Sequence, residues 1–214
     1  MTTDLKLYQS NGSPNSRRVR IFVAEKGIEL TQVPVDLGAK EQFSEAYVAI
    51  NPRRVVPTLV LEDGTAIGEV PAIMRYLDEA FPETSLLGSS PKEKALIQMW
   101  ERRMELEGFA AVMETVRNRA AGLKDRAIAG PHDYAQIPAL VDRGMERVKD
   151  FYADLEARLG KVAFLAGPSL SAADITAFVT IAFATGALQL GIPEANTATR
   201  RWHDDLAARA SFSA

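Results

Sequence analysis

The stretch Leu5-Lys-Leu-Tyr-Gln-Ser10, Asn11-Gly-Ser-Pro-Asn-Ser16, Arg17-Arg-Val-Arg-Ile-Phe-Val23 decides how the rest of the chain is read. Lys6 to Gln9 has the make-up of a buried strand, a polar turn follows, and then an amphipathic helix begins. Val19, Phe22 and Val23 fall at i, i+3 and i+4 and define the buried stripe, with Arg17, Arg18 and Arg20 directed elsewhere. The turn between carries the hydroxyls of Ser10, Ser13 and Ser16 and the carboxamides of Asn11 and Asn15. A helix start exposes unpaired N–H groups and the positive end of its dipole, so an anion is favoured there.

Outward from this turn, Gly27 stops the helix. Ile28 to Asp36 reads as a second strand, placed at an edge by Pro34, which has no N–H to give a ladder. Gly38 to Asn51 is polar and weakly periodic, an irregular helical connection. Thr58-Leu-Val-Leu61, Glu62-Asp-Gly64 and Thr65-Ala-Ile67 form a hairpin, because Asp-Gly suits the tight turn. A third helix carries Val70, Ile73, Met74 and Leu77, with Pro71 in its first turn. The order β-α-β-α-β-β-α predicts a small α/β domain over residues 1–81.

Residues 82–90, with Pro82, Gly88 and several serines, read as a linker, and every later signal is helical. Ser90-Pro-Lys-Glu93 is a capping box opening a helix whose apolar side carries Leu96, Met99, Trp100, Phe109, Val112, Met113 and Val116. Val141 to Leu159 forms a second long helix. Ser171-Ala-Ala-Asp174 caps a nearly all-apolar one, the expected centre of an all-α domain over residues 91–214. A last helix near Arg200 to Ala210 presents Trp202 and Leu206.

Composition narrows the chemistry. The net charge of −3 with mixed signs offers no basic face for nucleic acid. The absence of cysteine excludes disulfides, thiolate metal sites and a cysteine nucleophile, and two histidines make a histidine-rich metal centre unlike this chain. No basic segment followed by an apolar run opens the sequence, and no apolar run approaches the ~18 residues of a membrane span, so a cytoplasmic protein without a membrane partner is expected.

Together these motifs resemble the cytosolic glutathione S-transferase family, most closely a bacterial and fungal branch, over nearly the whole chain. Asn51-Pro-Arg-Arg-Val-Val-Pro57 is similar to that family's loop ending in a cis-proline. Gly68-Glu69 with Ala72-Ile73 and Tyr76-Leu77 resembles its strand-to-helix corner, and Phe164-Leu-Ala-Gly167 with Ser171-Ala-Ala-Asp174 its capped buried helix. The resemblance implies a thioredoxin-like N-terminal domain followed by a C-terminal α-helical bundle, a homodimer, and glutathione as cosubstrate with no tightly bound cofactor. It also implies transfer of the glutathione sulfur to a small electrophile.

The implied chemistry suits the opening turn. Moving a thiol pKa from about 8.5 to about 6.5 takes roughly 2.7 kcal/mol of preference for the thiolate. A hydroxyl on the charged sulfur supplies ~1.5–3 kcal/mol and a helix N-terminus ~0.3–1, up to ~2 when partly buried. By the resemblance Ser13 is the first candidate for the sulfur contact, with Asn15 and Ser16 behind it. Ser13-Pro14 is equally an N-cap with proline at N1, and both readings stay open. Glu69 is implied to meet the γ-glutamyl ammonium. Val56 would offer its backbone to the cysteinyl unit, and Lys40 and Arg54, with Arg53, would face the glycine carboxylate. Val70 stands where the family usually has serine, so one hydrogen bond to the γ-glutamyl carboxylate is missing and only the Val70 N–H remains. That departure keeps a non-catalytic binding protein on the same fold in view, alongside a glutathione-dependent peroxidase or disulfide reductase.

Overall fold

The computed structural model describes residues 4–214. The chain divides into two compact units, the first reaching to Ser85 with Ala129–His132 and Ala214, the second comprising Leu86–Ile128 and Asp133–Ser213.

The first unit runs β1 (Lys6–Gln9), α1 (Pro14–Glu25), β2 (Thr31–Pro34), α2 (Glu45–Ile50), β3 (Thr58–Val60), β4 (Ala66–Ile67) and α3 (Val70–Ala80). The sheet order is β2-β1-β3-β4, with β1 parallel to β2 and antiparallel to β3, and β3 antiparallel to β4. A helical crossover is what parallel neighbours need, and the Asp63-Gly64 turn is short enough only for antiparallel ones. Gly64 takes φ 84°, open to glycine at no steric cost. Because side chains alternate along a strand, Leu7 and Leu59 face one side and Tyr8 the other. Leu7, Leu59, Val19, Phe22, Ile73 and Leu77 are wholly buried, while Tyr8 packs on Tyr47 of α2, ring centroids 6.2 Å apart. This is the thioredoxin-like arrangement.

Two details differ from the sequence reading. Strand β2 covers only Thr31–Pro34, at the edge where Pro34 belongs. Arg18 is 1% exposed, not directed outward. It stands four residues before Phe22 and so shares the face that packs inward; its Nη1 donates to Asn15 Oδ1 at 3.1 Å.

The second unit is all helix: α4 (Pro91–Arg103), a π-helical turn (Met104–Phe109), α5 (Ala110–Arg119), α6 (Pro138–Leu159), α7 (Ala172–Leu188) and α8 (Thr197–Ala207). Ser90 and Glu93 form the capping box at the start of α4. Every residue from Ala172 to Ile181 is buried, and α7 touches α4, α5 and the π turn, as a central helix must. Leu96 and Met99, expected on the buried side of α4, are exposed. The inward row of α4 instead runs through Glu101 and on to Met104. The π turn is where one extra residue enters the helix, and it brings Gly108 against α6. A Cβ there would lie 2.4 Å from the Phe151 ring. Gly108→Ala is therefore expected to destabilise the fold by about 1–3 kcal/mol, read as a lower denaturant midpoint at unchanged slope.

Candidate active site

Strand directions gather the candidate residues at one end of the sheet. β1 and β2 run parallel, so both end there, the first into the Ser10–Ser16 turn and the second into the segment bearing Lys40. Tyr8 pairs with Thr58, so the loop before β3 begins at the same end. Leu59 pairs with Ile67, which brings the Gly68-Glu69 corner beside it.

In the turn, Ser13 is the N-cap of α1 and its Oγ accepts the Ser16 N–H at 3.3 Å. That bond uses one lone pair and leaves the hydroxyl hydrogen and a second lone pair. The Ser13 N–H donates to the Ser10 carbonyl at 3.0 Å. Ser16 is fully buried, and its Oγ accepts the Ser10 N–H at 3.2 Å. The Asn15 carboxamide oxygen is occupied by Arg18. Of the three candidates, Ser13, at 8% exposure, keeps a hydroxyl hydrogen at the helix mouth.

At the corner, Glu69 holds φ 63° and ψ 123° and leaves its side chain exposed at the head of α3. For a residue other than glycine such a backbone costs about 1–3 kcal/mol and persists only where its surroundings fix it. The Ala72 and Ile73 N–H groups both reach the Glu69 carbonyl, at 3.1 and 3.0 Å, and Pro71 has none. The Val70 N–H is thus the open amide of this helix turn. The Val70 side chain is buried and presents no hydroxyl.

The Asn51–Pro57 loop carries a cis Val56–Pro57 bond, and the Val56 N–H and C=O have no hydrogen-bond partner among the described residues. The loop is held from below. Asn51 Nδ2 donates to the Val55 carbonyl at 3.0 Å and to Thr58 Oγ1 at 2.8 Å, and its Oδ1 accepts the Arg53 N–H at 2.9 Å. The Tyr47 hydroxyl donates to the Val55 carbonyl at 2.6 Å and lies 3.0 Å from Thr58 Oγ1. Burial raises the Tyr47 pKa, so the hydroxyl remains a donor. Sequence reasoning missed Tyr47, Asn51 and Thr58 as positioning residues. Only the Asn51-Pro52 pair, a turn former, signalled one of them.

Lys40 and Arg54 both adopt left-handed backbone, at φ 60° and 56°. Lys40 is exposed. The Arg54 guanidinium lies 5.7 Å from the Phe43 ring, and its Nε is buried without a partner among the described residues. Orphaned buried donors are uncommon and mark a place where an acceptor is welcome. Elsewhere, Met104 and Phe109 are core residues, whereas Tyr134 is exposed. Arg102 pairs with Glu105, and Arg103 with Glu107, along their own helix. Among the described residues no cluster of His, Cys, Asp or Glu could hold a metal, and no helix is long and apolar enough to cross a membrane.

Comparison with known proteins bears on the family and the fold. Residues 7–85 match the family model "Glutathione S-transferase, N-terminal domain" and residues 138–205 match "Glutathione S-transferase, C-terminal domain". A glutathione S-transferase domain-containing protein of Marinobacter aquaeolei VT8 is 37% identical, with a TM-score of 0.89 over 97% of this chain and 99% of that one. Glutathione S-transferase 2 of Saccharomyces cerevisiae is 29% identical over 229 residues, 99% of this chain and 89% of the relative. A glutathione S-transferase of Methylobacillus flagellatus, solved with glutathione bound, is 25% identical with a TM-score of 0.81, over 98% of each chain.

A thioredoxin-like unit whose sheet end gathers a capped turn, a proline loop and an acidic corner, joined in sequence to a helical unit, defines a glutathione-dependent enzyme class. The chain belongs to the glutathione S-transferase family, and it is a glutathione transferase.

Proposed function

We propose that this enzyme binds glutathione at the end of the first unit's sheet, holds its sulfur as thiolate at the start of α1, and directs it at a small electrophilic carbon. The observation that carries the reading is the corner: a strained, exposed Glu69 beside the open Val70 N–H, at the same end of the sheet as the unpaired backbone of Val56. Glu69 takes the γ-glutamyl ammonium and the Val70 N–H the neighbouring carboxylate. Val56 pairs with the cysteinyl unit as an added strand would, and Lys40 and Arg54 meet the glycine carboxylate.

The sulfur then falls at the α1 mouth. There the Ser13 hydroxyl donates to it, and the helix dipole favours its charge. The thiol proton leaves to solvent, and the thiolate lone pair forms the new carbon–sulfur bond as the electrophile's leaving group departs, or as its π bond opens. Asn15 is the reserve donor, whereas Ser16, sealed in the core, serves the turn rather than the sulfur.

Ser13→Ala tests the assignment. The bound thiol is expected to titrate at least one pH unit higher, and kcat/KM to fall about 10–100-fold near neutral pH, on the worth of one bond to a charged group. An unchanged titration, with a stability loss of about 1 kcal/mol, would make Ser13 a cap and pass the role to amides or Asn15. The buried Val70 favours a second reading, a binding protein on this fold. That reading is distinguished by glutathione retention without turnover of an aryl halide.

The enzyme is proposed to act as a cytoplasmic homodimer. Leu96, Met99 and Leu106, spaced three and seven apart along α4 and the π turn, are all exposed, and apolar side chains so grouped suit a partner surface. Sedimentation is expected to give twice the chain mass of 23.4 kDa. Met99→Glu should shift the protein toward the monomer; a wild-type monomer at micromolar concentration would refute the pairing.

A further inference from the structure

Arg20 reaches back from α1 to the strand that precedes the turn. Its Nη1 donates to Gln9 Oε1 at 2.7 Å and to the Ser10 carbonyl at 3.3 Å. The same carbonyl accepts the Ser13 N–H at 3.0 Å, so the guanidinium sits on the atom that fixes the helix cap. Gln9 is 6% exposed. Its Nε2 continues the chain of bonds to Asn11 Oδ1 at 3.1 Å, and its own carbonyl accepts the Val35 N–H at 2.8 Å, which ties the turn to the end of β2. Nothing in the proposed chemistry uses Arg20. A half-buried cation with two neutral acceptors and no carboxylate partner among the described residues is nonetheless a feature that needs a reason, because an unneutralised charge removed from water is costly.

We propose that Arg20 is a positioning residue for the glutathione thiolate. Through Gln9 and Ser10 it fixes the turn that carries Ser13, and it sets a positive charge behind that turn. This rests on the reading that the glutathione sulfur lies at the start of α1. Arg20 is half-buried and Gln9 and Ser13 are buried, and a charge so placed is screened less than one at the surface. It adds to the helix dipole in the direction that favours an anion. Burial first, and Arg17 second, pull the Arg20 pKa below its ordinary value, the behaviour of a cation held away from bulk water without a counter-charge.

The surrounding charges do not cancel it. On α1, Arg17 and Arg18 are also cations, and the acid of that helix, Glu25, is its last residue, at the end away from the turn. On β1 the ionisable groups are Lys6 and Tyr8, and β2 has none. On α3, Arg75 is paired with Glu79, and Asp78 with Lys26.

The test is the pH titration of the thiolate absorbance of glutathione bound to the full-length enzyme, with saturation confirmed at each pH. Arg20→Gln removes the charge and leaves a shorter, neutral amide donor; Arg20→Lys keeps the charge and loses the planar fork. Arg20→Gln is expected to raise the midpoint by about half to one pH unit, a three- to tenfold loss of thiolate on the acid side. Arg20→Lys should recover most of that shift. Turnover by Arg20→Gln should fall by about two- to fivefold near pH 6.5 and return at high pH, with KM for glutathione within about twofold because Arg20 meets no part of the tripeptide. Should Arg20→Gln not fold, Gln9→Glu serves in its place. It keeps the side-chain shape, pairs with Arg20 and cancels its field, and it should raise the midpoint likewise.

Variants that titrate like wild type, with only a lower unfolding temperature, would overturn the proposal and leave Arg20 a brace of the fold. If instead wild-type enzyme binds glutathione but leaves its thiol titrating as in free solution, the reading of the sulfur site falls first, and the role of Arg20 with it.

Discussion

Glu69→Gln, which keeps the length of the side chain and removes its charge, is expected to weaken glutathione binding by roughly 10–150-fold. The estimate is the ~1.5–3 kcal/mol of a hydrogen bond to a charged group. The loss should appear in the dissociation constant of glutathione and in KM, with kcat at saturation nearly unchanged, because Glu69 is proposed to meet the γ-glutamyl ammonium and not the reacting sulfur. Its backbone offers an independent control. At φ 63° a glutamate is strained and a glycine is not. Glu69→Gly is therefore expected to lose binding as badly as Glu69→Gln while unfolding at the same temperature or higher. A variant that lost binding only because the corner had collapsed would unfold earlier. The converse change, Val70→Ser, restores a hydroxyl at the head of α3 and should tighten binding by about fivefold, near 1 kcal/mol.

The second large effect belongs to the helical unit. Asp174 is wholly buried, and its carboxyl accepts from Leu165 N–H (2.9 Å), Trp202 Nε1 (3.1 Å), Ser171 N–H (3.0 Å) and Ser171 Oγ (2.9 Å). The capping box read in the sequence accounts for Ser171 alone. The other oxygen fastens the loop before α7 and the indole of α8 to the same point. Asp174→Asn turns an NH2 toward donors on one side, and is expected to cost about 3 kcal/mol or more. Trp100 and Trp202 are the only tryptophans and both lie in this unit, so their fluorescence reports its unfolding.

The pH dependence has a defined sign. Burial pushes the Asp174 carboxyl up to about 6, against an ordinary 3.8, with its hydrogen bonds pulling the other way. A folded-state pKa above the unfolded one gives a contribution fully present below about 3.8 and lost as pH rises through about 6. Asparagine does not titrate. The stability gap between wild type and Asp174→Asn should thus be widest below about pH 3.8 and narrower by about 3 kcal/mol near pH 7. A gap that widens with pH would show that hydrogen bonding, not burial, rules this carboxyl.

What could be read in the sequence was what short-range chemistry dictates. The Asp63-Gly64 hairpin, the Ser13-Pro14 and Ser90-Pro91 helix starts and the apolar run after Ser171 are each set by neighbours a few residues away. Tertiary packing settled the rest. Leu96 and Met99 looked like core because they are apolar, yet α4 turns Glu101 inward toward Thr176 of α7, whose Oγ1 lies 3.3 Å from its carboxylate. No local pattern announces such an exchange. The π turn at Met104–Phe109 is invisible to a 3.6-residue period, and only Gly108 against Phe151 shows why it is tolerated. At the candidate site, Ser13, Glu69, Val70, Val56, Lys40 and Arg54 were named by resemblance, and the place of Ser13 before a helix marked it equally as a cap. Tyr47, Asn51 and Thr58 escaped because their roles are bonds to one carbonyl, that of Val55, met only after folding. Arg20 escaped for the same reason, its partner Gln9 lying eleven residues away on another element.

The measurement closest to the central claim is the pH titration of the thiolate absorbance of glutathione bound to the wild-type enzyme. Saturable binding is expected, with a midpoint near 6.5, about two units below the ordinary thiol value of about 8.5. A midpoint that stays near 8.5 with the tripeptide bound, or no binding at millimolar glutathione, would contradict it.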